Sequence, residues 1–214
     1  YSPQIARISP DTEGSLEPVL TGQWPTSLAY AQSEGLVLVT HRASDTLGFI
    51  DVATQRQVDA LWVGDSPSNV VWDDARGLAY VNLGGANSLA IVDVAKRSLV
   101  KTIDTVFDPL AMAVSPDGTT LFVASYRSGQ TSMYPYQERD GESEKDIAVI
   151  DLESQTVTGH ILDFASTIQT LRFNEKGELW STATTNNVEG SLNDPAAKSF
   201  EHQLVQLDPN PGLA

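Results

Sequence analysis

The sequence predicts an all-β protein, and three observations support that fold class. Its apolar residues fall in segments of about five to seven residues that are rich in β-branched and aromatic side chains and bounded by Gly, Pro, Asn, Asp and Ser. No segment sustains the apolar period of 3.6 residues that an amphipathic helix requires. A repeat runs through the chain, because Pro25, Pro67 and Pro109 are spaced 42 residues apart.

Each repeat unit contains predicted strands A to D in chain order. Strand A starts at the repeated proline, or at Thr167 in the fourth unit. Strand B is centred 13 residues later, on an apolar or aromatic residue: Leu38, Tyr80, Phe122 or Trp180. Strand C closes on a recurring aspartate: Asp51, Asp93, Asp151 or Asp208. Four antiparallel strands in about 42 residues are typical of a β-propeller blade.

The repeat units predict one propeller segment over residues 1–214. Residues 1–24 are expected to form a half blade, and the remaining units are three full blades and an incomplete last one: 25–66, 67–108, 109–166 and 167–214. The B–C connection is lengthened in the third and fourth units, by inserts at about 125–146 and 183–202.

Short motifs recur at fixed places in these units. Strand B carries Leu38-Val39-Thr40, Tyr80-Val81-Asn82 and Phe122-Val123-Ala124, and Trp180-Ser181-Thr182 in the fourth unit. Strand C continues as Ile50-Asp51-Val52-Ala53-Thr54 and Val92-Asp93-Val94-Ala95, and one A–B turn reads Ser115-Pro116-Asp117-Gly118. These motifs resemble the YVTN family of bacterial and archaeal β-propeller repeat proteins. The resemblance implies an extracytoplasmic location (periplasm, cell surface or secreted) and an arc of about four blades from a seven-bladed ring, with a closed four-bladed propeller as the alternative.

The composition is acidic and contains no cysteine. Thirteen basic and 28 acidic residues give a formal net charge of −15, which excludes nonspecific nucleic-acid binding because that requires Lys and Arg to neutralise phosphates. No apolar run approaches the length of a membrane span, so no membrane insertion is predicted. The missing cysteines exclude disulfides, thiolate metal sites, cysteine nucleophiles and covalent c-type haem within this sequence.

The lengthened B–C connections predict a contact face, because strands that alternate in direction bring B–C and D–A connections to the same face. The residues expected on that face include types enriched at binding hot spots: Trp24, His41, Arg42, Tyr126, Arg127, Tyr134 and Tyr136. The expected partner is a protein or cell-surface ligand of neutral or positive charge, or a flanking or fused domain. Three other tryptophans lie within strands and are expected in the core between blades: Trp62, Trp72 and Trp180.

The recurring aspartates at the end of strand C predict turns rather than catalysis. Because they share one repeat position, each is expected to accept hydrogen bonds from backbone N–H groups of the following turn: Asp51, Asp93, Asp151 and Asp208. No nucleophile, P-loop or dinucleotide motif occurs, so no catalytic residue and no cofactor is predicted. The acidic stretch 138–146 lacks the order of an EF-hand loop and is interpreted as a solvated turn rather than a metal site.

Two functions follow from these observations. The favoured one is a non-catalytic binding or scaffold module of an exported or cell-envelope protein. The alternative is the propeller portion of a periplasmic oxidoreductase, since similar propellers carry quinone cofactors or accompany haem domains.

Overall fold

The structure, a computed structural model, describes residues 3–8, 15–126, 145–162, 167–186 and 200–207 of the chain. These ranges contain 17 β-strands and no helix. The first ten strands are β1 (Gln4–Ile8), β2 (Ser15–Leu20), β3 (Pro25–Ala31), β4 (Leu36–His41), β5 (Thr46–Asp51), β6 (Arg56–Trp62), β7 (Pro67–Asp73), β8 (Leu78–Leu83), β9 (Ser88–Asp93) and β10 (Ser98–Asp104). The others are β11 (Pro109–Val114), β12 (Thr120–Ser125), β13 (Lys145–Asp151), β14 (Thr156–Leu162), β15 (Thr167–Phe173), β16 (Leu179–Asn186) and β17 (Phe200–Leu207).

The strands form five antiparallel sheets in which neighbours in the sequence are neighbours in the sheet. Their orders are β1-β2, β3-β4-β5-β6, β7-β8-β9-β10, β11-β12-β13-β14 and β15-β16-β17. The predicted all-β fold with four-stranded antiparallel sheets is therefore confirmed. No helix among the described residues is long and apolar enough to cross a membrane.

The repeated prolines begin the first strand of three sheets. Pro25, Pro67 and Pro109 are the first residues of β3, β7 and β11, where the missing N–H costs no ladder hydrogen bond. The residue before each proline adopts a left-handed conformation, with φ of 54° at Trp24, 55° at Ser66 and 43° at Asp108. Left-handed backbone is costly for residues other than glycine, so three occurrences at one repeat position indicate that the sheets require it.

A backbone hydrogen bond explains that requirement. In each of the three sheets, the carbonyl of the left-handed residue accepts a hydrogen bond from the first residue after the second strand: Arg42 to Trp24 at 3.0 Å, Gly84 to Ser66 at 3.1 Å and Tyr126 to Asp108 at 2.9 Å. The connection that enters each sheet is thereby fixed to the connection between its second and third strands.

The chain divides into two compact units, Tyr1–Thr102 and Ile103–Ala214. In the first unit, β7 packs against β3 and β4. The apolar core between these two sheets is contributed by alternate residues of each, among them Ala31, Leu36, Leu38, Leu47 and Phe49 on one side and Val70, Ala79, Val81, Ala90 and Val92 on the other. Burial of these side chains is the main stabilising contribution to this unit.

The second unit has a core of its own. β15 packs against β11 and β12, and the cluster joins Ala111, Ala113, Phe122, Ala124 and Ile147 to Ile168, Leu171 and Leu179. The rings of Phe122 and Phe173 meet edge to face, with their centroids 5.7 Å apart. That geometry is favourable for aromatic pairs.

The aspartates that close the third strands hold the turns that follow. The backbone N–H of the residue three positions on donates to Oδ1 of each, with Thr54 on Asp51 at 2.6 Å, Lys96 on Asp93 at 2.9 Å and Ser154 on Asp151 at 2.7 Å. The hydrogen bonds from Thr54 hold the pKa of Asp51 below its ordinary value, and those from Lys96 do the same for Asp93. Asp208, the fourth member of the series, lies outside the described residues.

Candidate functional site

Two of the residues expected on the contact face lie side by side at one end of the β3-β4-β5-β6 sheet. Trp24 immediately precedes β3 and Arg42 immediately follows β4, and the hydrogen bond between their backbones joins them. Both side chains are exposed, and Trp24 retains 67% of its accessible surface. A large apolar ring and a guanidinium group are therefore presented together to solvent.

Sequence reasoning missed two further exposed apolar side chains at the same end. Trp62 is the last residue of β6 and is 63% exposed, which overturns its expected place in the core. Leu20 is the last residue of β2 and is also exposed. The two are 42 residues apart, so they occupy one repeat position, and β2 contacts β6. The 42-residue spacing between Leu20 and Trp62 is the sequence feature from which their shared position could have been predicted. Trp72, in contrast, is half-buried against the core of the first unit.

The strand register shows how these side chains are arranged. Pro25, His41, Thr46 and Trp62 are successive partners across β3, β4, β5 and β6, and so form one row. Since adjacent strands are about 4.8 Å apart, the row is roughly 14 Å long. Trp62 ends the row on one side, and Trp24 directly precedes Pro25 at its other end. We call the exposed group Leu20, Trp24, Arg42 and Trp62 the apolar end patch.

His41 lies in this row but does not reach the surface. It is the last residue of β4 and is fully buried, although its place between strands B and C suggested an exposed contact. The backbone N–H of Gly22 donates to Nε2 at 3.1 Å, and Nδ1 lies 3.0 Å from Oγ1 of Thr46. Because a backbone N–H can only donate, Nε2 accepts from Gly22, and Oγ1 of Thr21 lies 2.5 Å from the same nitrogen. The ring thus fastens the connection before β3 to the sheet.

Two glycines make room for that ring. A Cβ atom added to Gly22 or to Gly48 would collide with the imidazole of His41. In the next sheet, Gly64 and Leu83 occupy the repeat positions of Gly22 and His41. A Cβ on Gly64 would lie 2.7 Å from Cδ1 of Leu83. In the third sheet the sizes are reversed, since the equivalent positions hold Val106 and Ser125, both buried. In all three sheets, a small residue at one of these two paired repeat positions occurs together with a large residue at the other.

Acidification is expected to destabilise the first unit through His41. Burial lowers the pKa of His41 below the ordinary value of 6.5. At pH values between that lowered pKa and 6.5, the folded chain therefore binds fewer protons at His41 than the unfolded chain does. Its contribution to stability is therefore complete above pH 6.5 and is lost as the pH falls from there toward the lowered pKa. Denaturant titrations between about pH 7.5 and 5.5 measure this slope. His41→Gln should flatten it and His160→Gln should not; equal slopes in the parent and His41→Gln would contradict the assignment.

The other residues expected on the contact face are not all described. Tyr126, in the second unit, is half-buried directly after β12. Arg127, Tyr134 and Tyr136 lie outside the described residues, as does most of both inserts. Within the described ranges, no group of three or more His, Cys, Asp or Glu residues could hold a metal ion.

Comparison with known proteins bears on the fold. No family model and no curated protein matches the sequence. Hydrazine synthase of Kuenenia stuttgartiensis has a similar structure, with a TM-score of 0.81 and 18% identity over 96% of this chain and 56% of that one. The sheets and this likeness together show a propeller-like fold. The chain thus spans about half the length of the solved chain it matches. In all, 1135 solved chains match, and a fold so widely shared does not by itself assign a function.

Proposed function

We propose that this chain is a non-catalytic recognition module of an exported or cell-envelope protein, and that the apolar end patch is its contact surface. The observation that carries the proposal is the pair of highly exposed tryptophans, Trp24 and Trp62, at one end of a single sheet. An interface of standard size is wide enough to span both positions, and tryptophan and arginine are among the types most enriched at hot spots.

The backbone at Trp24 supports a role in binding rather than in folding. Three sheets need a left-handed residue at this position, and the other two have small polar residues there, Ser66 and Asp108. A left-handed conformation costs a residue other than glycine roughly 1–2 kcal/mol. The exposed indole does not recover that cost through burial in the core. A bulky ring kept at a strained and exposed position is better explained by contact with a partner.

The chemistry of the patch indicates the kind of partner. Indole rings bind apolar groups and also attract cations over their faces. The net charge of −15 favours an approaching surface that is neutral or positive. We therefore propose a protein or cell-surface ligand that presents apolar groups beside positive charge. Membership of the YVTN family and an extracytoplasmic location belong to the same proposal, supported by the strand-B and strand-C motifs.

Retention of partners on the immobilised chain tests the proposal. We expect the double substitution Trp24→Asn and Trp62→Thr to reduce retention of specifically bound cell-envelope components at least tenfold, since each ring is a hot-spot candidate. The matched control is Val58→Thr, which replaces an exposed apolar residue of the same strand, β6, away from its end. Retention that is unchanged in the double variant would overturn the assignment of the surface.

The second candidate is the propeller portion of an oxidoreductase linked to a non-covalent quinone or haem. The likeness to a solved hydrazine synthase is the observation that favours it. Visible absorbance of the purified chain distinguishes the two: a cofactor that stays bound through gel filtration favours the second candidate and counts against the first.

A further inference from the structure

Two short hydrogen bonds attach the backbone of the β2–β3 connection, which carries Trp24, to β4 and the residue that follows it. The N–H of Gly22 donates to Nε2 of His41 at 3.1 Å, and the carbonyl of Trp24 accepts from the N–H of Arg42 at 3.0 Å. The two bonds that the backbone of Gln23 makes are longer, at 3.3 and 3.4 Å, beyond the usual range. The buried imidazole thus supplies one of the two short backbone attachments of the segment on which Trp24 stands.

Nε2 of His41 lies between a donor and an oxygen that can accept. Oγ1 of Thr21 lies 2.5 Å from Nε2, and the same hydroxyl donates to Oε1 of Gln57 at 2.8 Å. Because a hydroxyl has one proton, this oxygen is left as an acceptor toward the ring. The N–H of Gly22, in contrast, can only donate. A ring without a proton on Nε2 therefore accepts from Gly22, whereas a ring with that proton donates to Thr21 and offers Gly22 no acceptor.

The groups that contact this ring are neutral. Thr21 and Gly22 face Nε2 from the connection, and Oγ1 of Thr46 on β5 lies 3.0 Å from Nδ1, where a hydroxyl serves either protonation state. The charged residues described on the surrounding elements are exposed or engaged elsewhere, Asp45 with Ser66 and Asp59 with Arg97: Glu17, Arg42, Asp45, Arg56 and Asp59. Burial, and no charged neighbour, lowers the pKa of His41. Its protonation is therefore governed by burial, the hydroxyls and the pH.

The next sheet lacks all three side chains of this polar chain. At the repeat positions of Thr21, His41 and Gln57, 42 residues on, it has apolar residues: Val63, Leu83 and Leu99. At the left-handed position that Trp24 occupies, it has a small residue, Ser66. The polar chain thus occurs in the sheet that presents the exposed tryptophan and is replaced as a unit in the sheet that does not.

We propose that Thr21, His41 and Gln57 form a clamp that responds to protonation and sets how firmly Trp24 is held for binding, with His41 as a positioning residue. Without a proton on Nε2, His41 holds the N–H of Gly22, and the backbone at Trp24 is fixed. A proton taken up from solvent at Nε2 forms a hydrogen bond to Oγ1 of Thr21, whose own proton stays on Gln57. Gly22 then loses its acceptor, and one short backbone bond remains. The inference rests on the proposed function, because it adds regulation to the same surface.

Fluorine NMR of the chain labelled with fluorotryptophan tests the clamp without any partner. Trp24→Asn identifies the signal of Trp24 by its loss, and the NMR signals of the ring nitrogens give the titration midpoint of His41. We expect the Trp24 signal to shift and narrow as the pH falls, with the midpoint of His41, because the released segment moves more freely. The signal of the half-buried Trp72 is the internal reference. A Trp24 signal that stays constant while His41 titrates would overturn the proposal.

Two variants separate the clamp from other effects of pH. Thr21→Val removes the oxygen to which a protonated ring donates, so it should lower the midpoint of both signals by about one pH unit. Thr21→Ser keeps the hydroxyl and should restore the midpoint. The triple variant Thr21→Val, His41→Leu and Gln57→Leu reproduces the apolar set of the next sheet, and its Trp24 signal should not respond to pH. An unchanged midpoint in Thr21→Val, or the parent's pH response in the triple variant, would overturn the proposal.

Partner retention distinguishes failure of this inference from failure of the proposed function. At about one pH unit below the midpoint of His41, about nine-tenths of the rings are protonated, so the parent should retain about tenfold less of the cell-envelope components than at about pH 7.5. The triple variant should retain equal amounts at both. Equal retention by the parent would overturn the regulation even where Trp24→Asn abolishes retention. Retention that Trp24→Asn leaves unchanged would instead overturn the contact surface, a failure that the fluorine signals tell apart from failure of the clamp.

Discussion

Replacing Phe49 with alanine is expected to lower the free energy of unfolding by about 3–5 kcal/mol. Phe49 is fully buried in the core between the β3 and β7 sheets. The guanidinium carbon of Arg97 lies 5.7 Å from the centroid of its ring, a cation–π distance. Truncation would therefore leave a cavity and remove the aromatic face that Arg97 covers. Equilibrium denaturation followed by tryptophan fluorescence measures the loss.

Tyr30→Ala is the control for this substitution. It removes an aromatic side chain of similar size that is half exposed on the opposite face of the same sheet, so the loss should be much smaller than for Phe49. If Phe49→Ala and Tyr30→Ala lowered the free energy of unfolding equally, the β3 and β7 sheets would not pack through the face that carries Phe49.

Gly22→Val is expected to destabilise the chain by about 1–3 kcal/mol, because its side chain would collide with the buried imidazole of His41. His41 cannot move aside cheaply, since Gly22 and Thr46 both hold its ring nitrogens. The double variant Gly22→Val with His41→Ser reproduces the arrangement of the third sheet, Val106 with Ser125. We expect it to recover most of the loss.

A double-mutant cycle measures this coupling. The interaction free energy between positions 22 and 41 should be favourable and clearly different from zero, as for residues in direct contact. His41→Ser alone serves as the third corner of the cycle. Strictly additive effects would contradict the size relation between the two positions.

The strands were predictable because their signals are local and repeated. Alternating apolar residues and the 42-residue spacing of Pro25, Pro67 and Pro109 placed the strand starts correctly. Burial at the strand ends was harder to predict from the sequence, because it depends on which sheet lies opposite. Trp62 was expected in the core because it is apolar and within a strand, yet it ends the edge strand β6 and faces solvent.

The sequence contains an indication that His41 is buried, but the polar character of histidine favoured an exposed position instead. At the equivalent position the next repeat has Leu83, an apolar residue that is also buried. A comparison between repeats would therefore have indicated a buried site, whereas histidine at the end of a strand suggested an exposed loop. The left-handed backbone at Trp24 could not be predicted from residue type, since bulky residues rarely adopt it.

The most direct test of the proposed recognition surface measures stability and partner retention in the single variant Trp24→Asn. Asparagine accepts a left-handed backbone more readily than tryptophan. We therefore predict an unfolding free energy that is unchanged or raised by up to about 1 kcal/mol, together with a clear loss of partner retention. A variant that is less stable by more than about 1 kcal/mol and still retains its partners would contradict the account, because Trp24 would then serve folding rather than binding.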